Sequence, residues 1–141
     1  MAEVITLEYT VPGDDFTRAG EASADMKSRL KKLGLPADVV RRAAIALYEG
    51  EINLAIHAHG GCICVTVSEG VIKMVLADKG PGIENIALAM SEGYSTAPDE
   101  VRSLGFGAGM GLPNMKKYSD VFDIESTVGV GTTIQMEVNI S

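Results

Sequence analysis

A helical run from about Pro36 to Ala58 is apolar nearly all the way round. Ile45, Ile52 and Ile56 lie on one side, and Val40, Leu47 and Leu54 on the other. A helix of that kind is buried, so the rest of the chain must cover it from more than one direction. Gly60-Gly61 closes the run, and Pro36 stands where a first helical turn tolerates proline. Into this apolar helix are set Glu49, Asn53 and His57, four residues apart. At helical pitch they fall within an arc of about 80°. Buried polar groups need partners, so these three form either a core hydrogen-bond network or a site. Glu51 lies about 160° around the helix from Asn53 and is the weaker candidate.

The remaining pattern supplies the cover. Val4 to Thr10 alternates apolar and polar residues, as a half-buried strand does. Pro12-Gly13-Asp14-Asp15 reads as a turn with an N-cap. Phe16, Ala19, Ser23, Met26, Leu30 and Leu33 then recur at spacings of three and four, one face of an amphipathic helix that Gly34 ends. Ile63 to Ser68 and Val71 to Ala77 read as strands of a hairpin turning at Glu69-Gly70. A short helix is expected over Ile86 to Met90, and a long loop over Ser91 to Phe106, the length of a lid or binding loop. A helix from about Gly109 to Tyr118 and two strands, Val121 to Ser126 and Thr132 to Ile140, complete the chain. Helices on one face of a mixed, mostly antiparallel sheet predict an α+β two-layer sandwich.

The 141 residues suit one domain, 1–141, with a folded composition of 46% hydrophobic residues. A formal net charge of −7 argues against a direct nucleic-acid or membrane-surface binder. The N-terminus lacks a signal-peptide pattern, and no apolar run spans a bilayer, so a cytoplasmic location is expected. Cys62 and Cys64 read as small buried residues in a reducing compartment, not as a metal or redox pair. His57 and His59 form a His-x-His pair at a helix end, where capping or packing is commoner than metal binding.

Two glycine-rich stretches change the weight of the polar arc. Asp78 ends an apolar strand, and Lys79-Gly80-Pro81-Gly82-Ile83 follows. That is a turn by itself. Gly105, Gly107, Gly109 and Gly111 alternate ahead of a helix, with Phe106, Ala108 and Met110 between them and Leu112 after. Free backbone amides at a helix N-terminus bind phosphate. The chain has neither a P-loop nor a Gly-x-Gly-x-x-Gly fingerprint. An amide oxygen such as that of Asn53 is a hard ligand suited to Mg²⁺. A carboxylate one turn away can take a proton from a group attacking a γ-phosphate.

Read in order with Gly131-Thr132-Thr133, these motifs resemble the nucleotide site of the GHKL ATPases, the superfamily of gyrase, Hsp90, histidine kinases and MutL. The resemblance covers about Arg42 to Met136. It implies a Bergerat-type ATP-binding fold and the cofactors ATP and Mg²⁺. Asn53 would be the magnesium ligand, Glu49 the general base and Asp78 the acceptor for the adenine amine. Gly80, Gly82, Ile83, Gly105, Gly107, Ala108, Gly109, Met110, Gly111, Leu112 and Thr132 would line the nucleotide. The stretch 107–126 followed by 129–133 is especially similar to the stand-alone bacterial serine/threonine kinases of partner-switching pathways, anti-sigma factors and switch kinases. Tyr48 departs from the serine more usual there. The branch implies a STAS-domain, anti-anti-sigma-like protein as phosphorylated partner. A sigma factor or other regulator is a further partner, and a homodimer is left open. A nucleotide-gated anti-sigma module with little catalysis, and an ATPase subunit of a larger assembly, are the alternatives. The loop 91–106 is expected to order over bound nucleotide.

Overall fold

The computed structural model describes residues 5–13, 20–57, 60–80, 82–83, 90 and 111–140. Alternating burial along the apolar-polar runs makes five strands: β1 (Ile5–Pro12), β2 (Gly60–Ser68), β3 (Val71–Ala77), β4 (Val121–Thr127) and β5 (Gly131–Asn139). They form one sheet in the order β1-β2-β3-β5-β4. Every pairing in it is antiparallel, so the expected mixed character is absent among the described strands. Glu69-Gly70 turns the β2–β3 hairpin, with Ser68 opposite Val71 and Gly70 at φ 87°. Pro12 ends β1, an edge strand, where a missing ladder donor is tolerated.

The helices α1 (Glu21–Lys32), α2 (Ala37–His57) and α3 (Gly111–Tyr118) lie on one face of the sheet. Period two puts Ile63, Val65 and Val67 of β2, Ile72, Met74 and Leu76 of β3, and Ile134, Met136 and Val138 of β5 on that face. They meet Met26 and Leu30 of α1, Val40, Ala43, Leu47 and Leu54 of α2, and Leu112 and Met115 of α3 in one core. This is the expected two-layer α+β sandwich. The other face of the sheet carries Thr10, Cys62, Lys73, Ala77 and Thr133, all exposed.

Two expectations change. The cysteines are not buried: Ile63 and Val65 take the core positions, so the same alternation turns Cys62 outward, exposed, and leaves Cys64 half-buried. The first described helix, α1, starts at Glu21, and Phe16 and Ala19, assigned to it from the sequence, lie outside the described residues. Gly20, at φ 104°, is its N-cap, and it has no side-chain cap of its own. Nor is α2 sealed all round, because Tyr48 is exposed and Ile45 only half-buried. The short helix expected at 86–90 and the loop at 91–106 lie outside the described residues, apart from Met90.

Gly50 sets how closely α2 approaches its neighbours. A Cβ there would collide with the Leu76 side chain of β3 and lie 3.4 Å from Met115 Sδ of α3. Gly50→Val should therefore destabilise the fold by about 1–3 kcal/mol through overpacking. Urea unfolding checks this, and an unchanged midpoint would show that the Leu76–Met115 contact has room to spare.

Candidate functional site

Glu49 and Asn53 sit half-buried one turn apart on α2. The close approach at Gly50 brings α3 alongside, and Asn114 Nδ2 donates to Glu49 Oε1 at 3.3 Å. Burial pushes the Glu49 carboxyl above the usual carboxylate range, and the hydrogen bond from Asn114 pulls the other way. Glu49 opens onto a groove between α1 and α2 that is also lined by Ser23, Lys27, Arg41, Ile45 and Tyr48. A carboxylate with one oxygen held and a raised proton affinity, reached from a groove, is suited to take a proton.

Two residues further on, the other glutamate does something else. Glu51 is 2% exposed. Its two oxygens accept the backbone N–H groups of Ala22 and Ser23, each at 3.0 Å. Those are orphan donors in the first turn of α1. A tertiary carboxylate thus supplies the cap that Gly20 lacks, favoured by the helix dipole as well. Gly20 itself lies against Tyr48, whose Cε1 would be 3.3 Å from a Cβ at that position. This explains why the helix begins at Glu21, and it fixes one wall of the groove beside Glu49.

Asp78 follows the last residue of β3. Its backbone N–H donates to Thr132 O at 3.0 Å, continuing the ladder one step. Its Oδ1 accepts from Gly80 N at 2.8 Å and from Thr132 N at 3.3 Å. Among the described residues nothing donates to Oδ2, so one oxygen is spent on the turn and the other remains an acceptor. Thr132 is buried, and its hydroxyl lies 2.7 Å from Ser126 Oγ. Ser126 Oγ also accepts from Ile83 N at 2.7 Å and donates to Gly131 O at 3.3 Å. With both those bonds made, the Thr132 hydroxyl is the donor in the pair. Gly131 has to be glycine, because a Cβ would strike the Asp78 carbonyl. Gly82, at φ 80°, passes so close to β4 that a Cβ would be 2.5 Å from Thr127 O.

Leu54 joins these parts. A Cβ on Gly61 would be 3.0 Å from Leu54 Cδ2 and 3.2 Å from Asp78 Cβ, so the second half of α2 lies beside the end of β3. Glu49, Asn53, Asp78, Gly80, Gly82, Ile83, Gly111 and Thr132 are thereby carried on elements that meet around this end of the sheet. Leu112 instead turns into the core beside Met115. Gly105, Gly107, Ala108, Gly109 and Met110 lie outside the described residues, as does His59, and the side chain of His57 is likewise not described. Ser126 and Asn114 are not marked as site residues by the sequence, and the angle of Glu51 around α2 does not disclose its use. A Ser in β4 facing a Thr in β5 was the only local signal for the first.

The profile of the histidine kinase-, DNA gyrase B-, and HSP90-like ATPases matches residues 52–141. Serine/threonine-protein kinase RsbT from Bacillus subtilis (strain 168) is 33% identical over 109 residues, covering 74% of this chain and 76% of that protein. The anti-sigma F factor of Priestia megaterium is 28% identical over 127 residues, covering 85% and 83%. That of Clostridium acetobutylicum is 36% identical over 98 residues, covering 66% and 65%. The fold is shared with the crystal structure of the RsbU and RsbW domains of Rv1364c from Mycobacterium tuberculosis, at a TM-score of 0.65 and 13% identity, over 95% of this chain and 32% of that one.

Removing the Glu51 carboxylate strands two N–H groups at the start of α1. Glu51→Ala should cost about 1–3 kcal/mol, the range for a buried donor left unsatisfied. Amide exchange at Ala22 and Ser23 should accelerate more than exchange in β3. Uniform acceleration across the chain would show a general loss of packing instead of a lost cap.

Proposed function

The chain belongs to the histidine kinase-, DNA gyrase B-, and HSP90-like ATPases, and from that membership we propose that it is an ATP-dependent serine/threonine protein kinase of a bacterial partner-switching pathway. The observation that carries the reading is the Glu49 carboxylate, half-buried, held by Asn114 and one helical turn from Asn53. A module that only binds nucleotide has no need of a carboxylate kept ready for a proton. The similarity to RsbT, a serine/threonine-protein kinase, supports the same reading.

In this reading Asp78 Oδ2 accepts from the exocyclic amine of adenine, and the same carboxylate repels the carbonyl that guanine carries there. The glycines from Gly105 to Gly111, ahead of α3, would supply backbone amides for the phosphates. Asn53 would offer a hard amide oxygen, a donor that suits magnesium held mainly by phosphates and water. Such an ion would neutralise charge on the transferring phosphate. The substrate hydroxyl enters from the groove beside Glu49, loses its proton to that carboxylate and attacks the γ-phosphorus as ADP leaves. The substrate is a serine or threonine on a small STAS-domain protein. The names of the anti-sigma F factors favour a second role beside catalysis, the holding of a sigma factor.

Two substitutions separate binding from chemistry. Asp78→Asn turns the free acceptor into a donor facing the amine unless the amide gives up its turn contacts. Calorimetry should show ATP binding weakened by roughly 1–3 kcal/mol and the preference over GTP reduced. Unchanged affinity would remove Asp78 from the site.

Glu49→Ala should leave nucleotide affinity near the parent value and lower phosphotransfer by about 10²–10⁴-fold, the scale of a lost general base. The pH dependence follows from the raised carboxyl. The base is competent only when ionised, so the rate should fall as pH drops through a value above the usual glutamate range. Labelled ATP and candidate STAS-domain proteins test this. Transfer at the parent rate by Glu49→Ala would make Glu49 a structural carboxylate.

A further inference from the structure

We propose that Asn114 is a positioning residue for phosphotransfer: from α3 it holds one oxygen of the Glu49 carboxylate, so that the other faces the incoming hydroxyl. The proposal rests on Glu49 being the base. Its geometry comes from three adjoining contacts. Gly50, next to Glu49, lets α2 close onto Leu76 and Met115. Met115, next to Asn114, is fully buried and anchors α3, as does Leu112 a turn earlier. The neighbours of both polar residues are thus packed together, and Asn114 Nδ2 meets Glu49 Oε1 at 3.3 Å across the helix pair.

The consequences for Glu49 are specific. A carboxylate oxygen engaged by an N–H donor carries no proton, so the proton that Glu49 accepts goes to Oε2. The same bond favours the ionised form against the effect of burial. Among the described residues, the charged groups around Glu49 are few. Lys27 of α1 and Arg41 of α2 line its groove, and Arg41 is paired with Asp38. Glu51 is committed to Ala22 and Ser23. On α3, Lys116 and Lys117 are exposed, and β3 brings the apolar Leu76. Asn114 is the group that touches the carboxylate itself. It also stands in the first turn of the helix that Gly111 opens, so the bond ties the base to the helix proposed to receive phosphate.

The test uses the whole chain with Mg-ATP alone, where water is the attacking group, together with ¹³C titration of the glutamate carboxyls. In Asn114→Ala the Glu49 carboxyl should titrate about one pH unit higher, and the acid limb of ATP turnover should move with it. Turnover should fall roughly tenfold, the loss of one hydrogen bond to a charged group, with KM for ATP within about twofold of the parent. Asn114→Asp keeps the size and places a second carboxyl there. It should raise the Glu49 titration further, and it serves in place of Asn114→Ala should that variant not fold. In a Glu49→Gln background, Asn114→Ala should cause no further loss.

An unmoved Glu49 titration, or the same tenfold loss in the Glu49→Gln background, would overturn the positioning role. Parent-rate turnover by Glu49→Gln alone would instead refute Glu49 as base. The carboxyl titration still decides whether Asn114 holds it.

Discussion

The contact of Gly50 with Leu76 and Met115 is the constraint on which the site depends. A helix packed at the usual distance from a sheet keeps its polar residues clear of the neighbouring strand ends. Here the missing side chain lets α2 sink toward β3 and α3 along the segment that carries Glu49 and Asn53. Leu54, a turn further on, then reaches Gly61 and the end of β3 where Asp78 begins. The hydrophobic core and the polar site are therefore not separate layers. The same turns of α2 pack one and present the other, and the burial that stabilises the fold also raises the proton affinity of Glu49.

Two glutamates on that helix show how environment assigns a role. Glu49 and Glu51 differ by two residues in sequence and by more than half a turn around the axis. Glu51 points toward α1, where backbone N–H groups at a helix start compensate the burial of its charge. Glu49 has one amide donor and an open groove. The first carboxylate is fully spent on architecture, whereas the second keeps an oxygen free.

This also bears on what could be read from the sequence. Period and turn chemistry are local, so the β2–β3 hairpin at Glu69-Gly70, the existence of the long α2 and the sandwich class were legible. So was the placing of Glu49 and Asn53 one turn apart on that helix, because a spacing of four is close to the helical repeat. The start of α1 was not legible. Its cap comes from Glu51, about thirty positions away in sequence, and no local pattern encodes a cap of that kind. Ser126 and Asn114 were missed for the same reason, since their partners lie on other elements. The cysteines were misplaced because small residues carry little periodic signal. Only the flanking Ile63 and Val65 decide which face they take.

Asp78 illustrates why this construction suits recognition. A free aspartate would have to lose side-chain freedom and water on both oxygens when a ligand bound. Here Gly80 N and Thr132 N already hold Oδ1, and Gly131 leaves no gap between the Asp78 carbonyl and β5. Ser126 pins the far end of the same turn through Ile83. The ordering cost has been met by folding, so the amine donor proposed for this site would meet a side chain already held in place. Glu49 follows the same rule, with Asn114 in the place of the turn amides. In both cases one oxygen is held by the protein and the other is left for the proposed ligand.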